Sequence, residues 1–127
     1  MPKSALILFA HGARDPDWAS PLYRVRDAIL VQLPEMRIEL AFLELMAPSL
    51  PDCTEALLAA GFKRLVILPM FIAQGGHLKK DLPVILDELR RRYPQAVFEL
   101  AGPVGETEGV VQAMAAHALA LVGNPLS

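Results

Sequence analysis

The fold of this chain follows from the stretch SALILFAHGARD at residues 4–15. Residues 4–10 are apolar without alternation, which is typical of a strand that is buried on both faces of a parallel sheet. The stretch then turns polar in a short loop, which begins with His11 and Gly12. The stretch is therefore predicted to be a buried strand that delivers His11 to the loop at its carboxyl end.

Three further strand and helix units follow this stretch. Residues 65–68 form a second continuous apolar strand, whereas residues 37–43 and 96–101 alternate between apolar and polar side chains. Continuous strands belong in the middle of a parallel sheet and alternating strands at its edges. The sequence therefore predicts a four-stranded parallel sheet of order 2-1-3-4 with helices on both faces. Residues 1–127 are predicted to form a single domain of this kind.

The helices are predicted from the spacing of their apolar residues. The first helix carries five such residues at helical spacing, which predicts one buried face: Trp18, Leu22, Val25, Ile29 and Leu33. The third helix is expected to begin between Leu78 and Leu82, and an alanine-rich helix is expected over residues 107–122.

Composition and charge exclude several classes of protein. Hydrophobic residues make up 54% of the 127 residues and charged residues 20%, so the chain is not intrinsically disordered. The formal net charge of -2 gives no broad cationic field, and we expect neither a nucleic-acid nor a membrane partner. The longest apolar run, residues 65–73, is shorter than the roughly 20 residues that span a bilayer. A single cysteine, Cys53, excludes an internal disulfide and fits the cytoplasm.

The predicted strand order also predicts where a ligand binds. The winding of the chain reverses between strands one and three, and open α/β sheets bind ligands beyond the carboxyl ends of the strands at that point. His11 follows strand one, and His77 lies in the segment that follows strand three. Strand two brings Glu44 to the same edge, and the loop after strand four brings Glu106.

These residue types suit the chemistry of metals and protons. Two imidazoles and a carboxylate are ligands that divalent Co, Ni or Fe can use. A neutral imidazole is also well suited to accept a proton near pH 7. Gly12, Gly75 and Gly76 leave space for the backbone to approach a bulky ligand closely.

Other roles remain open for each residue taken singly. Either histidine can be an ordinary surface or capping residue, Glu44 a solvated charge at a strand end, and Glu106 a residue that favours a helix start. His117 on the last helix is expected to pack or to face solvent. Phosphate chemistry is disfavoured, because no glycine-rich phosphate motif is present. Residues 10–12, Ala-His-Gly, resemble the Arg-His-Gly opening of the histidine phosphatases. Those enzymes bind phosphate with the arginine, and this chain has Ala10 at that position.

Two segments resemble a known family. Residues 9–15, FAHGARD, resemble the Gly-His-Gly-Ser-Arg opening of the sirohydrochlorin chelatases, which belong to the class II tetrapyrrole chelatases. Residues 68–83, LPMFIAQGGHLKKDLP, resemble the longer second signature of that family. Ala10 and Ala13 stand where the family usually has Gly and Ser, which alters the shape of the pocket but leaves His11 in place. The likeness extends over nearly the whole chain.

The resemblance implies a flavodoxin-like chelatase half that inserts a divalent metal into sirohydrochlorin or a related tetrapyrrole. Cobalt is the expected metal, with nickel and iron as alternatives, and no organic cofactor is expected. His11 and His77 would bind the metal and act in catalysis, with Glu44 as a base or outer ligand. Larger members of the family contain two such lobes, so a single-lobe chain is expected to act as a homodimer.

The remaining site residues are expected to bind the macrocycle. Arg14, Lys79 and Lys80 would meet its peripheral carboxylates, since charge-assisted hydrogen bonds to carboxylates are strong and directional. Gly75 and Gly76 would line the same pocket. Two other functions stay open: a non-catalytic carrier of metal or tetrapyrrole with this fold, and a flavodoxin-like domain that binds a flavin or nucleotide. No Gly/Ser/Thr-rich phosphate loop follows strand one, which disfavours the second.

Overall fold

The computed structural model describes residues 3–123, except for the side chain of His77. Within this range four strands alternate with four helices, and their bounds are β1 Ser4–Ala10, α1 Ser20–Gln32, β2 Arg37–Phe42, α2 Leu50–Ala59, β3 Arg64–Pro69, α3 Gly76–Arg92, β4 Val97–Leu100 and α4 Glu108–Val122. Short 3₁₀ turns at Pro16–Ala19 and Val104–Glu106 precede α1 and α4. None of the described helices is long and apolar enough to cross a membrane.

The sheet is parallel throughout and has the order β2-β1-β3-β4, as predicted. Leu8 at the centre of β1 pairs with Leu40 of β2 on one side and with Leu68 of β3 on the other. The continuous apolar strands are therefore the central ones and the alternating strands are the edges. The chain leaves β1 in one direction to form β2 and returns on the other side to form β3, which creates the predicted switch point.

The larger core lies between one face of the sheet and helices α2 and α3. Leu82, Leu86 and Leu89 follow helical spacing and pack against Ile7 and Ile67 of the central strands within this cluster. Ser49 caps the N-terminus of helix α2, because its hydroxyl accepts a hydrogen bond from the Asp52 backbone N–H at 3.2 Å. Helices α2 and α3 thus bury the side chains of the central strands on this face.

The second core lies on the opposite face, under α1. Leu22 and Ile29 of α1 are half-buried there and pack against the β1 and β2 side of the sheet. The prediction of a continuous buried face on α1 is wrong in its extent, because Trp18, Val25 and Leu33 are exposed. Only one narrow side of α1 contacts the sheet, and no other described helix packs beside it to cover the rest.

Helix α4 covers neither face of the sheet. No residue of Glu108–Val122 is buried, and none belongs to either core cluster. Its bounds agree with the predicted alanine-rich helix to within one residue.

Candidate active site

His11 is the first residue after β1, at the carboxyl edge of the sheet. Its ring nitrogen Nδ1 lies 3.2 Å from the backbone carbonyl oxygen of Gly12. In the tautomer with the proton on Nδ1, this contact is a hydrogen bond to the carbonyl oxygen. The neutral imidazole therefore presents the lone pair of Nε2, which can accept a proton or bind a metal.

Glu44 stands directly opposite His11. The His11 Nε2 atom is 3.4 Å from Glu44 Oε1, and both side chains are about half exposed. Backbone hydrogen bonds continue the pairing of β1 and β2 beyond the strands: Leu43 N–H donates to the Ala10 carbonyl at 2.9 Å, and Glu44 N–H donates to the His11 carbonyl at 3.1 Å. The two loops are thus held in register, and this register places the carboxylate beside the imidazole.

Gly12 is required for this approach of the two loops. Its φ is 97°, in the left-handed region that L side chains rarely adopt. A Cβ at this position would overlap the backbone carbonyl oxygen of Glu44. The sequence analysis selected Gly12 for ligand access, whereas in the structure it allows one backbone to contact another.

The segment after β3 reaches the same edge of the sheet. Met70 N–H donates to the Phe9 carbonyl at 2.7 Å, which extends the pairing of the two central strands. Helix α3 begins at Gly76, earlier than the predicted start between Leu78 and Leu82, because Gly75 has the extended backbone of an N-cap (φ -73°, ψ 165°). His77 consequently lies in the first turn of α3, and its side chain lies outside what the structure describes.

A close contact between two loops fixes the wall of the site beside β3. Gly105 N–H donates to the Phe71 carbonyl at 2.9 Å, and a Cβ on Gly105 would overlap the backbone of Ile72. The Phe71 ring in turn packs edge-to-face on Phe9, with ring centroids 6.1 Å apart. Ile72 is left 72% exposed at this edge. The sequence analysis predicted neither Gly105 nor Ile72 as a site residue. An apolar side chain in a glycine-rich loop is the signal that could have indicated Ile72.

The three cationic candidates lie on the surface of the protein. Arg14, Lys79 and Lys80 are all exposed, and none of the three forms an ion pair with the side chains that the structure describes. Arg14 follows His11 closely in the chain, while both lysines lie in the first turns of α3. These three positions remain predictions as binding residues.

Several other candidates lie apart from the His11–Glu44 pair. Glu106 is exposed in the 3₁₀ turn after β4, the edge strand opposite β2. His117 is exposed on α4. Cys53 is buried in α2, where burial raises the pKa of its thiol to about 12. Among the described side chains, no three His, Cys, Asp or Glu groups lie close enough to hold a metal ion together.

The spacing of the His11–Glu44 pair is compatible with two kinds of chemistry. A carboxylate at this distance stabilises the imidazolium that forms when Nε2 takes up a proton. Two ligands that each lie about 2.1 Å from one ion, at a tetrahedral angle, are about 3.4 Å apart, and the Nε2–Oε1 separation is 3.4 Å. The pair can therefore accept a proton or supply two neighbouring metal ligands.

Comparison with known proteins places this site in context. The CbiX family model matches residues 5–120. A sirohydrochlorin cobaltochelatase of Methanococcus aeolicus is 33% identical over 82 residues, which are 65% of this chain and 57% of that protein. One of Saccharolobus solfataricus is 30% identical over 111 residues, 83% of this chain and 85% of that protein. One of Priestia megaterium is 26% identical, and this chain spans 35% of its length.

Solved structures share the fold. A cobalamin biosynthesis CbiX protein of Marinobacter aquaeolei VT8 superposes with a TM-score of 0.80 and 25% identity, covering 91% of this chain and 93% of that chain. SirB of Bacillus subtilis, solved with Fe³⁺, gives a TM-score of 0.79 and 25% identity. The match covers 97% of this chain and 48% of the SirB chain. The predicted chelatase-type fold is confirmed.

Proposed function

Because the chain belongs to the CbiX family, we propose that it inserts a divalent metal ion, cobalt in the first place, into sirohydrochlorin or a closely related tetrapyrrole. The sirohydrochlorin cobaltochelatases among its relatives support the substrate and the metal. The observation that carries the proposal is the His11–Glu44 pair at the switch point of the sheet, with 3.4 Å between Nε2 and Oε1.

The reaction exchanges protons for a metal. The divalent ion forms bonds to four ring nitrogens and loses its waters, while two pyrrole N–H bonds break and two protons leave. We assign His11 as a proton acceptor, because the contact of Nδ1 with the Gly12 carbonyl leaves the lone pair of Nε2 free. The Glu44 carboxylate stabilises the resulting imidazolium. No organic cofactor takes part in this exchange.

The same residues deliver the metal. His11 and His77 are proposed as its ligands, since β1 and β3 are neighbours and their following segments meet at one edge of the sheet. Nε2 of His11 has one lone pair, so it accepts a pyrrole proton only after it has released the ion to the ring. Glu44 can join them as an outer or direct ligand, because its carboxylate lies next to His11 Nε2. Two or three protein ligands leave coordination positions open, as working metal sites do, so the ion can pass to the ring nitrogens.

The macrocycle is proposed to lie over the carboxyl edge of the sheet. Exposed Ile72 and Leu45, which flank the site on the loops after β3 and β2, offer apolar contact to its face. Gly75 and Gly76 keep the approach to α3 free of side chains. Arg14, Lys79 and Lys80 pair with the carboxylates at the rim.

A second copy of the chain is proposed to complete the site. One lobe offers a shallow platform, whereas binding sites for molecules of this kind are clefts that bury most of the ligand. SirB, which shares this fold, is about twice as long, since this chain covers 48% of it. A homodimer would enclose the macrocycle between two lobes. We also propose that the protein works in the cytoplasm. The single cysteine of the chain, Cys53, is a free, buried thiol, and free thiols are typical of that reducing compartment.

The test is metal insertion in solution. The protein is incubated with sirohydrochlorin and Co²⁺, and the absorption of the macrocycle is followed against the reaction without protein. His11→Ala and His77→Ala are each expected to lower the insertion rate by about 100-fold or more, the usual contribution of a positioned acid or base. Glu44→Gln is expected to lower it by about 10-fold or more, while Glu55→Gln on the exposed side of α2 serves as its matched control.

Two results would overturn the proposal. Wild-type rates in both histidine variants would remove the proposed site. Insertion no faster than in the free solution, together with tight retention of metal or macrocycle after dialysis, would identify a carrier instead. Offering Co²⁺, Ni²⁺ and Fe²⁺ together to one macrocycle identifies the preferred metal, because all three accept similar ligands.

A further inference from the structure

Leu45 directly follows Glu44 in the chain, and its backbone is strained. Among the described residues other than glycine, it alone has a positive φ, 67°. In this left-handed region the Cβ of an L-residue comes too close to the carbonyl oxygen that follows, so glycine or asparagine normally occupies it. Residues held in such a conformation cluster at functional sites. The strain at Leu45 therefore calls for a functional reason.

The loop that contains this residue, 43–48, is held at its base. Leu43 N–H donates to the Ala10 carbonyl at 2.9 Å, which ties the start of the loop to the end of β1. Phe42 N–H donates to the Pro48 carbonyl at 2.9 Å, which ties the end of the loop to the end of β2. The chain must therefore turn back within a few residues, and the fixed ends keep the strained turn in place.

Packing within the described chain does not account for a leucine at this position. Leu43 packs against the larger core, and Met46 packs against the second core. Leu45 lies between them in the loop, belongs to neither cluster and is 55% exposed. The described fold thus gains little burial from this side chain, whereas glycine or asparagine would adopt its backbone conformation with less strain.

Leu45 and Ile72 lie on the two loops that flank the loop of His11. Leu45 follows β2, and Ile72, which is 72% exposed, follows β3. These two strands pair with β1 on its opposite sides, and His11 follows β1. Two exposed apolar residues therefore lie at the carboxyl edge of the sheet, one on each side of the histidine. Such an arrangement suits a flat, apolar ligand that reaches the histidine.

We propose that Leu45 is a specificity-determining residue of this site: its strained backbone holds an apolar side chain next to the His11–Glu44 pair, where it packs on the face of the macrocycle. The inference deepens the proposed function and rests on it. Burial of the leucine by the ligand releases free energy that the free protein does not gain. Relief of the strain should therefore stabilise the free protein, while loss of the apolar side chain should weaken the complex.

The test replaces Leu45 by asparagine, which has a similar size, is polar and adopts the left-handed conformation more readily. In Leu45→Asn the midpoint of urea unfolding is expected to rise by roughly 0.5 M. The dissociation constant of metal-free sirohydrochlorin, measured by absorption titration, is expected to rise about 10-fold or more. Leu45→Gly, which also relieves the strain and removes the side chain, should change both quantities in the same directions. A residue with a purely structural role would not strengthen the fold while weakening binding.

Two further variants separate the side chain from the strain. Ile72→Asn removes an apolar side chain on the other flank of the site, and its backbone has no positive φ. It is expected to raise the dissociation constant of the macrocycle without raising the urea midpoint. Val84→Asn is the control for binding, because Val84 is 57% exposed on α3, much as Leu45 is on its loop. Its dissociation constant should stay within about two-fold of the wild-type value.

The outcomes distinguish this inference from the proposed function. Wild-type affinity for the macrocycle in Leu45→Asn and Leu45→Gly, or a lower urea midpoint in both, would overturn the role of Leu45. A change of oligomeric state in Leu45→Asn, measured by light scattering, would assign the side chain to a subunit contact and overturn it as well. A wild-type protein that binds the macrocycle but inserts no metal would contradict the proposed function alone. A wild-type protein that does not bind the macrocycle would overturn both.

Discussion

Gly12 lies against the backbone carbonyl oxygen of Glu44 so closely that no side chain fits between them. This contact joins the loops after β1 and β2 beyond the last paired residues of the strands. It also sets the distance of 3.4 Å between His11 Nε2 and Glu44 Oε1. A backbone contact thus determines the geometry of the proposed proton acceptor and its carboxylate.

Gly12→Ala is expected to damage both stability and function. The left-handed φ of 97° is strained for alanine, and a residue forced into such a conformation costs about 1–3 kcal/mol. The added Cβ also pushes the Glu44 loop away, and a displacement of about 1 Å at a reacting group can cost about 100-fold in rate. Urea unfolding and the metal-insertion assay measure the two effects.

Gly102→Ala is the control for this prediction. A Cβ on Gly102, in the loop after β4, meets open space, and its φ is not in the left-handed region. We expect its unfolding free energy to stay within about 0.5 kcal/mol of the wild type. A Gly12→Ala variant as stable and as active as Gly102→Ala would show that the loop contact does not position the site.

Arg14→Gln is expected to weaken binding of the macrocycle without slowing the metal-insertion step. An exposed guanidinium that pairs with a rim carboxylate is worth about 1.5–3 kcal/mol when the hydrogen bond is charge-assisted. We therefore expect KM for sirohydrochlorin to rise at least about 10-fold, with kcat nearly unchanged. Arg24→Gln, an exposed arginine on α1, is the control. A fall in kcat at constant KM would place Arg14 in the reaction step instead.

Thr54→Val is expected to stabilise the protein. Thr54 is fully buried in α2, and its Oγ1 has no hydrogen-bond partner among the described residues. Valine keeps the shape of threonine and removes a buried hydroxyl, so the free energy of unfolding should rise by about 1 kcal/mol. Thr54→Ala, which also removes a methyl group, should lower it by about 1 kcal/mol. If valine were the more destabilising substitution, the hydroxyl would have a partner that stabilises the fold.

The Cys53 thiol is expected to make the free energy of unfolding fall as the pH becomes alkaline. Burial raises the pKa of its thiol from an ordinary value of 9.0 to about 12 in the folded chain. Between these values the unfolded chain has released the thiol proton that the folded chain still holds. The contribution of the thiol to the free energy of unfolding is therefore fully present below pH 9 and is lost as the pH rises toward 12. The loss amounts to at most about 1.4 kcal/mol per pH unit.

The variant Cys53→Ala isolates this effect from the titration of tyrosines and lysines. The difference in unfolding free energy between wild type and variant should be constant from pH 7 to the ordinary thiol value of 9.0 and should shrink above it. A difference that stays constant above that value would mean that the thiol ionises in the folded protein as it does in the unfolded chain.

The sequence alone determined the sheet and the edge where the site lies. The continuous apolar runs at residues 4–10 and 65–68 predicted which strands are central, because central strands of parallel sheets are typically apolar throughout. That order then placed His11 and Glu44 at one edge, since parallel strands end together. The role of His77 as a ligand stays a prediction.

Tertiary structure alone decided which apolar surfaces are covered and which backbones touch. The spacing of Trp18, Val25 and Leu33 predicted a buried face on α1, yet all three are exposed. Apolar periodicity records that a surface avoids water but not which element, or which copy of the chain, covers it. The contacts of Gly12 with Glu44 and of Gly105 with Ile72 join residues far apart in the chain. Such contacts depend on how the strands pair and on where their loops meet. The local sequence pattern of a strand or helix does not encode this.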